Sequence, residues 1–248
     1  MSQIKFDKIY VLAINHSEEK YNDISQRLSE LDIPYNTPYE ILLGHNGWVD
    51  ELPNGFSAYK NWAIDTENPN WKFDVTPGEI GCAISHYNSW KTLITDDVER
   101  VLILEEDFKS EIPLTELSEP PKDYDIAYLG RWAIDYDSDI KLNEQWYIPS
   151  FSYNAQSYIL TRTGANKLLS YNFQSNLITP DEFLTATWCY HPRPDINNLW
   201  PSKQINAVAT KDDYISQTSD IKTSMVSVCG DSDIDSALKR MRSNAVLD

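Results

Sequence analysis

Cysteine is scarce in this chain of 248 residues, where Cys82, Cys189 and Cys229 are the full complement. An odd number without a secreted-framework spacing excludes a disulfide-stapled scaffold and makes reduced thiols the expectation. Long apolar runs are missing as well. No stretch approaches the roughly 20 apolar residues of a membrane span, and MSQIKFDKIYVLAIN at the start holds too short an apolar run for a secretory h-region. A cytoplasmic location is the simplest expectation. Positive charge is the third shortage, with 21 basic against 38 acidic residues and a formal net charge of -17. That balance argues against a generally polyanion-binding surface and against attraction to anionic membranes, leaving room only for a local basic groove. No internal repeat is visible.

What is present suffices for a core. A hydrophobic content of 41%, with 12% aromatic, can fill one hydrophobic interior, and the length lies near the upper limit for a single one. The expected organisation is one α/β domain over residues 1–229, followed by a tail at 230–248. Within that tail a short helix at 234–241 would carry the LKRMR cluster.

Residues 76–108, TPGEIGCAISHYNSWKTLITDDVERVLILEEDF, are the most informative segment. Thr76 followed by Pro77 and, three residues on, by Glu79 has the spacing of a capping box. Ile80, Ala83, Ile84, Tyr87 and Leu93 recur at helical intervals, with Trp90 near the same stripe, and Asp96 and Asp97 mark the end. Val101 to Leu104 then form a β-prone apolar run, as expected of a strand covered on both faces. It stops at Glu105, Glu106 and Asp107. Ligands of open α/β sheets bind beyond the carboxyl ends of strands, so Glu105 and Asp107 stand where a divalent metal and a phosphorylated substrate could meet, unless the run is simply a solvated acidic turn.

Other elements follow from pattern and punctuation. A strand is expected at 9–14, a helix at 17–31, a second strand at 39–43, and a long loop at 44–77 containing a short helix near 59–64. Residues 110–122 read as a loop and 135–139 as a solvated turn. Cys82 and His86, one helical turn apart, could join Cys189 and His191 in a zinc site on paper. Neither pair has CxxC or HExxH spacing, and a buried cysteine is usually a small hydrophobe.

GEIGCAISHYNSW followed by VLILEEDF resembles the hallmark of glycosyltransferase family 25, which includes lipooligosaccharide and collagen hydroxylysine galactosyltransferases. IYVLAIN at 9–15, YDIAYLG at 124–130, SYILTRTGANKLL at 157–169, TPDEF at 179–183 and DYISQTSDIKTS at 213–224 are similar to further family blocks in order. Two features depart from the family pattern. Glu106 stands where an aspartate is usual, and Arg27 comes later than the arginines that tend to follow the first strand.

The resemblance implies a GT-A-type, Rossmann-like α/β fold with a central mixed, mostly parallel sheet. It implies an inverting transfer of galactose or a related sugar from a UDP-sugar donor to a hydroxyl on a glycan or protein, with Mn²⁺ or Mg²⁺ as cofactor. Glu105 and Asp107 would hold the metal, Asn15, Glu79, Arg131 and Trp132 would line the donor site, and His86 would lie near it. In TPDEF, Thr179, Pro180 and Glu182 have capping-box spacing, which gives Glu182 a structural task. Asp181 is left over, either to offset the helix dipole or to serve as the catalytic base, with His86 next in line. Eight tryptophans and fifteen tyrosines exceed the needs of packing, and Trp132 is the one expected to line the pocket. Two other readings remain, a DNA glycosyltransferase acting on a hydroxylated base and a non-catalytic carbohydrate-binding protein.

Overall fold

The computed structural model describes residues 2–33, 35, 37–68 and 70–218. The expected tail helix, its LKRMR cluster, Cys229 and the end of the DYISQTSDIKTS block lie outside the described residues. In chain order the elements are β1 (Lys8–Ala13), α1 (Glu18–Glu30), β2 (Tyr39–Leu43), α2 (Pro77–Thr95), β3 (Arg100–Glu105), β4 (Phe108–Ser110), β5 (Ile126–Tyr128), β6 (Trp132–Ala133) and β7 (Ile140–Lys141). They continue with β8 (Trp146–Ile148), β9 (Ser152–Tyr153), β10 (Ser157–Thr161), α3 (Arg162–Ser170), α4 (Pro180–Ala186), α5 (Pro194–Leu199), β11 (Ala207–Thr210) and β12 (Ile215–Gln217).

Eight strands form one sheet in the order β2-β1-β3-β10-β5-β11-β8-β7. β1 runs parallel to β2 and β3, and β5 parallel to β11, while β10 and β8 run against their neighbours. The fold is thus α/β with a mixed sheet in which most strands share one direction. β3 is buried on both faces because its side chains alternate. Val101 and Ile103 join the core under α2, α3 and α4, whereas Leu102 and Leu104 join the core under α1.

The ends of the early elements are set locally. Ser17 caps α1 by accepting from the Lys20 amide, and the Thr76 hydroxyl accepts from the Glu79 amide while Glu79 Oε2 accepts from the Thr76 amide at 2.7 Å. α2 then lies against the connection that leaves β2. The Ser85 hydroxyl accepts from the His45 amide at 2.9 Å, and a Cβ on Gly81 would meet the His45 carbonyl at 2.5 Å and the Gly47 nitrogen at 2.7 Å. Backbone meets backbone there, and only glycine fits.

Three expectations are corrected. No helix forms at 59–64, because that stretch pairs elsewhere: Ala58 bridges Leu177, the Tyr59 amide donates to the Leu177 carbonyl, and Arg193 takes the carbonyls of Asn61 and Trp62. Residues 110–122 are not wholly loop. They complete β4 and include a 3-10 turn at Leu114–Glu116, held by the buried Leu114 and Leu117. The 135–139 turn is solvated only in part, since the Asp139 carboxylate is buried against the Arg131 guanidinium.

The close approach at Gly81 gives a stability prediction. Gly81→Ala should destabilise the chain by about 1–3 kcal/mol, the usual range for overpacking, read as a lower denaturant midpoint at unchanged m-value. A midpoint equal to that of the unsubstituted chain would refute the contact.

Candidate active site

The pleat that buries β3 also sorts its acidic end. Glu105 emerges on the α2 face, where its Oε1 lies 3.2 Å from His86 Nε2 and 3.6 Å from Cys82 Sγ. Glu106 emerges towards α1 and pairs with Lys20 at 3.0 Å. Asp107 follows in the turn to β4, and the three residues are all buried. β12 returns across this end, pairing with β4 and placing Gln217 Nε2 3.4 Å from Glu105 Oε2. Gly130 permits that crossing, since a Cβ there would lie 1.9 Å from the Ile215 carbonyl oxygen.

A chain of buried hydrogen bonds stands behind Glu105. Trp90 Nε1 donates to the Tyr158 hydroxyl at 2.9 Å, which can donate to His86 Nδ1 at 2.8 Å, leaving Nε2–H to meet the carboxylate. Asp107 has no such support. Its Oδ1 finds no hydrogen-bond partner among the described residues, and burial, followed by the charge of Glu105, pushes its pKa up to about 7. Burial also raises Glu106 despite Lys20, and it raises the Cys82 thiol well up, aided by the charges of Glu105, Asp181 and Asp107.

Asp181 is the second centre. It sits in the first turn of α4, which Phe183 anchors by stacking on Phe173 at 3.9 Å and packing near Trp90 at 5.8 Å. Its Oδ2 accepts from the Asn154 amide at 3.2 Å, and Asn154 adopts φ +73°, a left-handed conformation that asparagine tolerates. Asp181 lines a cleft of about 170 Å³ together with Asn70, Glu79, Trp132, Tyr153 and Asn154. Trp132 is 46% exposed there, its ring 5.9 Å from that of Tyr153.

Glu182 does not cap α4. The Thr179 side chain does not cap that helix and its hydroxyl lacks a partner among the described residues, whereas Asp181 Oδ1 accepts from the Glu182 amide in the first turn at 2.8 Å. The Glu182 carboxyl turns inward instead, accepting from Trp71 Nε1 at 2.9 Å and pairing with His191 Nε2. His191 Nδ1 accepts from the Arg193 amide, so its proton sits on Nε2 and points at Glu182. Burial, then the Asp181 charge, pushes Glu182 well up, while burial and the Arg193 charge lower His191 to about 3. The pair is therefore a neutral imidazole donating to a buried acid.

A sequence model of glycosyltransferase family 25 (LPS biosynthesis protein) matches residues 6–185. The chain belongs to glycosyltransferase family 25. Procollagen galactosyltransferase 1-B of Xenopus laevis is 24% identical over 223 residues, covering 84% of this chain and 35% of its own length. Inactive glycosyltransferase 25 family member 3 of Homo sapiens is 26% identical over 215 residues, covering 81% of this chain and 35% of its own length. The chain thus spans about a third of the length of these relatives. Among solved structures, the galactosyltransferase LgtC in complex with donor and acceptor sugar analogs aligns with 82% of this chain and 86% of its own, at 15% identity and a TM-score of 0.35. That likeness is too slight to carry an argument.

The family's segments meet in space around the acidic end of β3. Glu79, Trp132 and Asp181 share the cleft, and Asn15 lines a separate hollow of about 270 Å³ with His16, Lys20, Tyr21 and Tyr39. Lys20, bound to Glu106, joins that hollow to the acidic motif. Arg131 is spent elsewhere: its guanidinium pairs with Asp139 and donates to Ser152 Oγ at 2.7 Å, so it lines neither hollow. The imagined zinc quartet is split as well, since His191 holds Glu182 and Cys189 lies on the Thr185 carbonyl. Lys20, Tyr153 and Asn154 lie in no motif of the sequence, and Tyr158 and Gln217, although inside the 157–169 and 213–224 blocks, carry no local signal that singles them out. Among the described residues no helix is long and apolar enough to cross a membrane.

Asp107 sets a pH dependence. Because its folded pKa of about 7 lies above the ordinary carboxylate value, the folded chain holds the proton more tightly than the unfolded one. The associated stability is present below about pH 4 and is lost as pH rises towards about 7. In chelator, Asp107→Asn should therefore be less stable than the unsubstituted chain near pH 4 relative to pH 8, flattening the fall in melting temperature. Parallel profiles for the two proteins would contradict the assignment.

Proposed function

We propose that the chain is a GT-A-type, inverting glycosyltransferase that moves galactose or a related sugar from a UDP-sugar to a hydroxyl acceptor with the help of Mn²⁺ or Mg²⁺. The observation that carries this reading is the cluster of three buried acids at the end of β3, one of them, Asp107, with an oxygen that no donor among the described residues reaches. Buried carboxylates are paired or coordinate metals, and an oxygen-rich set suits a hard divalent ion. Glu105 and Asp107 fit that task. Glu106 does not, because Lys20 holds it on the other face. The ion, when bound, offsets the charge that develops on the departing diphosphate.

The chain's own residues supply the rest. Asn15 and its neighbouring tyrosines offer a polar contact and aromatic faces to a nucleoside, while Trp132 and Tyr153 present a face for a sugar ring. Asp181 is the base, taking the proton of the acceptor hydroxyl as that oxygen attacks the anomeric carbon. Among the described residues the cleft around it is lined by Glu79, Asp181 and Glu182 and by no lysine or arginine, which favours a glycan or protein hydroxyl over a base in polyanionic DNA. Some relatives bear the name inactive, which keeps a non-catalytic carbohydrate-binding role as the second reading.

Asp181→Asn should lower kcat by roughly 10²- to 10⁴-fold with little change in melting temperature or donor affinity. Glu182→Gln should do the reverse, costing about 1–3 kcal/mol of stability through the broken network with Trp71 and His191. Near-normal kcat in Asp181→Asn would move the base elsewhere.

Donor choice is tested by melting. UDP with Mn²⁺ should raise the melting temperature more than GDP or CDP with Mn²⁺, because a ligand bound only by the native state stabilises it by mass action. Equal shifts would remove the UDP assignment. Donor binding without transfer to any acceptor would favour the second reading.

A further inference from the structure

We propose that Cys82, His86 and Glu105 form a binding site for a soft divalent transition ion of the Zn²⁺ type, and that filling it withdraws Glu105 from sugar transfer. The first half stands on geometry alone. The second rests on the reading of Glu105 as a ligand of the hard ion.

One ligand atom from each of the three residues lies within 4.8 Å of the others, and all three residues are buried. Cys82 and His86 occupy successive turns of α2 on the face that meets β3, and the pleat delivers Glu105 to the same point. Their separations can be compared with what an ion demands. A tetrahedral centre with bonds of about 2.3 Å to sulfur and about 2.0–2.1 Å to nitrogen and oxygen holds sulfur and oxygen about 3.5 Å apart and nitrogen and oxygen about 3.3 Å apart. The observed distances are 3.6 Å for Sγ to Oε1 and 3.2 Å for Nε2 to Oε1. Two edges of the tetrahedron are therefore already formed.

The imidazole is also oriented as a ligand. Its Nδ1 faces the Tyr158 hydroxyl at 2.8 Å, and that hydroxyl is fixed by Trp90 Nε1. Binding takes the tautomer opposite to the metal-free one: with the proton moved to Nδ1 and donated to the Tyr158 oxygen, Nε2 gives up its bond to Glu105 and is free to bind, the outer-shell arrangement that metal-ligating histidines use. The thiol proton leaves to solvent as the sulfur–metal bond forms. A thiolate, an imidazole and one carboxylate oxygen prefer Zn²⁺ to Mg²⁺ or Mn²⁺, whereas Glu105 with Asp107 offers oxygen only. Glu105 thus stands between two sites of opposite softness. The three protein ligands leave a fourth position for water.

X-ray absorption of the unsubstituted chain loaded with one equivalent of Zn²⁺ should show a sulfur scatterer at about 2.3 Å. The Cys189→Ser, Cys229→Ser double variant should keep it. Co²⁺, used as a visible stand-in, should bind once with a thiolate charge-transfer band and tetrahedral absorption, and Zn²⁺ should displace it. Cys82→Ser should abolish that band, and Tyr158→Phe should weaken binding roughly 10- to 100-fold. Absence of the sulfur scatterer, or its loss in the double variant, would overturn the site, and neither result depends on Cys82→Ser folding.

Zn²⁺ at one equivalent should suppress Mn²⁺-supported sugar transfer, with Cys82→Ser resistant. Full activity with the soft site filled would overturn the sharing of Glu105. A chain that binds Zn²⁺ through Cys82 yet transfers no sugar under any condition would leave the site standing and remove the transfer reading instead.

Discussion

Burying negative charge at the end of β3 is the constraint around which the site is arranged. A carboxylate taken out of water must find donors, an opposite charge or a metal, and the three acids that leave this strand find three different answers. Glu105 meets His86 from α2, Glu106 meets Lys20 from α1, and Asp107 keeps an oxygen without a partner among the described residues. The two helices and β12 are thereby fastened to one point. Burial alone raises the cost of ionising this point, and the mutual repulsion of Glu105 and Asp107 raises it further.

Asp181 and Glu182 show the same physics in miniature. They are adjacent in the chain, yet a helix turn sends one to the cleft and the other into the interior. Phe183, stacked on Phe173 and edge-on to Trp200, fixes that turn, and Thr185 ties it to β9 through the Ser152 carbonyl. Behind Glu182, Arg193 fastens the 59–75 segment by its bonds to Asn61 and Trp62 and by lying 4.8 Å from the Trp62 ring. The long loop before α2 is therefore held by charge and backbone pairing rather than by secondary structure of its own. Asn70, on that loop, contributes to the cleft wall.

The aromatic surplus is divided by the same packing. Trp62, Trp90 and Trp146 are core side chains, and Trp90 uses its N–H within the network behind Glu105. Trp132 is left open beside Asp181. The face that Trp132 turns to the cleft is thus one that the core did not take.

The sequence by itself determined the elements whose signals are local. The capping box at Thr76 and Glu79, the helical stripe of α2, the apolar run of β3 and the family blocks were all legible, because helix caps and pleats are set by residues within a few positions of one another. It also named Asp107, Asp181 and Trp132 as site candidates. Tertiary structure alone decided which carboxylate of TPDEF faces the cleft, that Arg131 is consumed by Asp139, that the 59–64 stretch pairs with Leu177 and Arg193, and that Cys82 and His86 meet Glu105 rather than Cys189 and His191. Most of those partners stand far apart in the chain. No periodicity encodes such pairings, because they are selected by the desolvation of charges that become neighbours only when the sheet and helices pack.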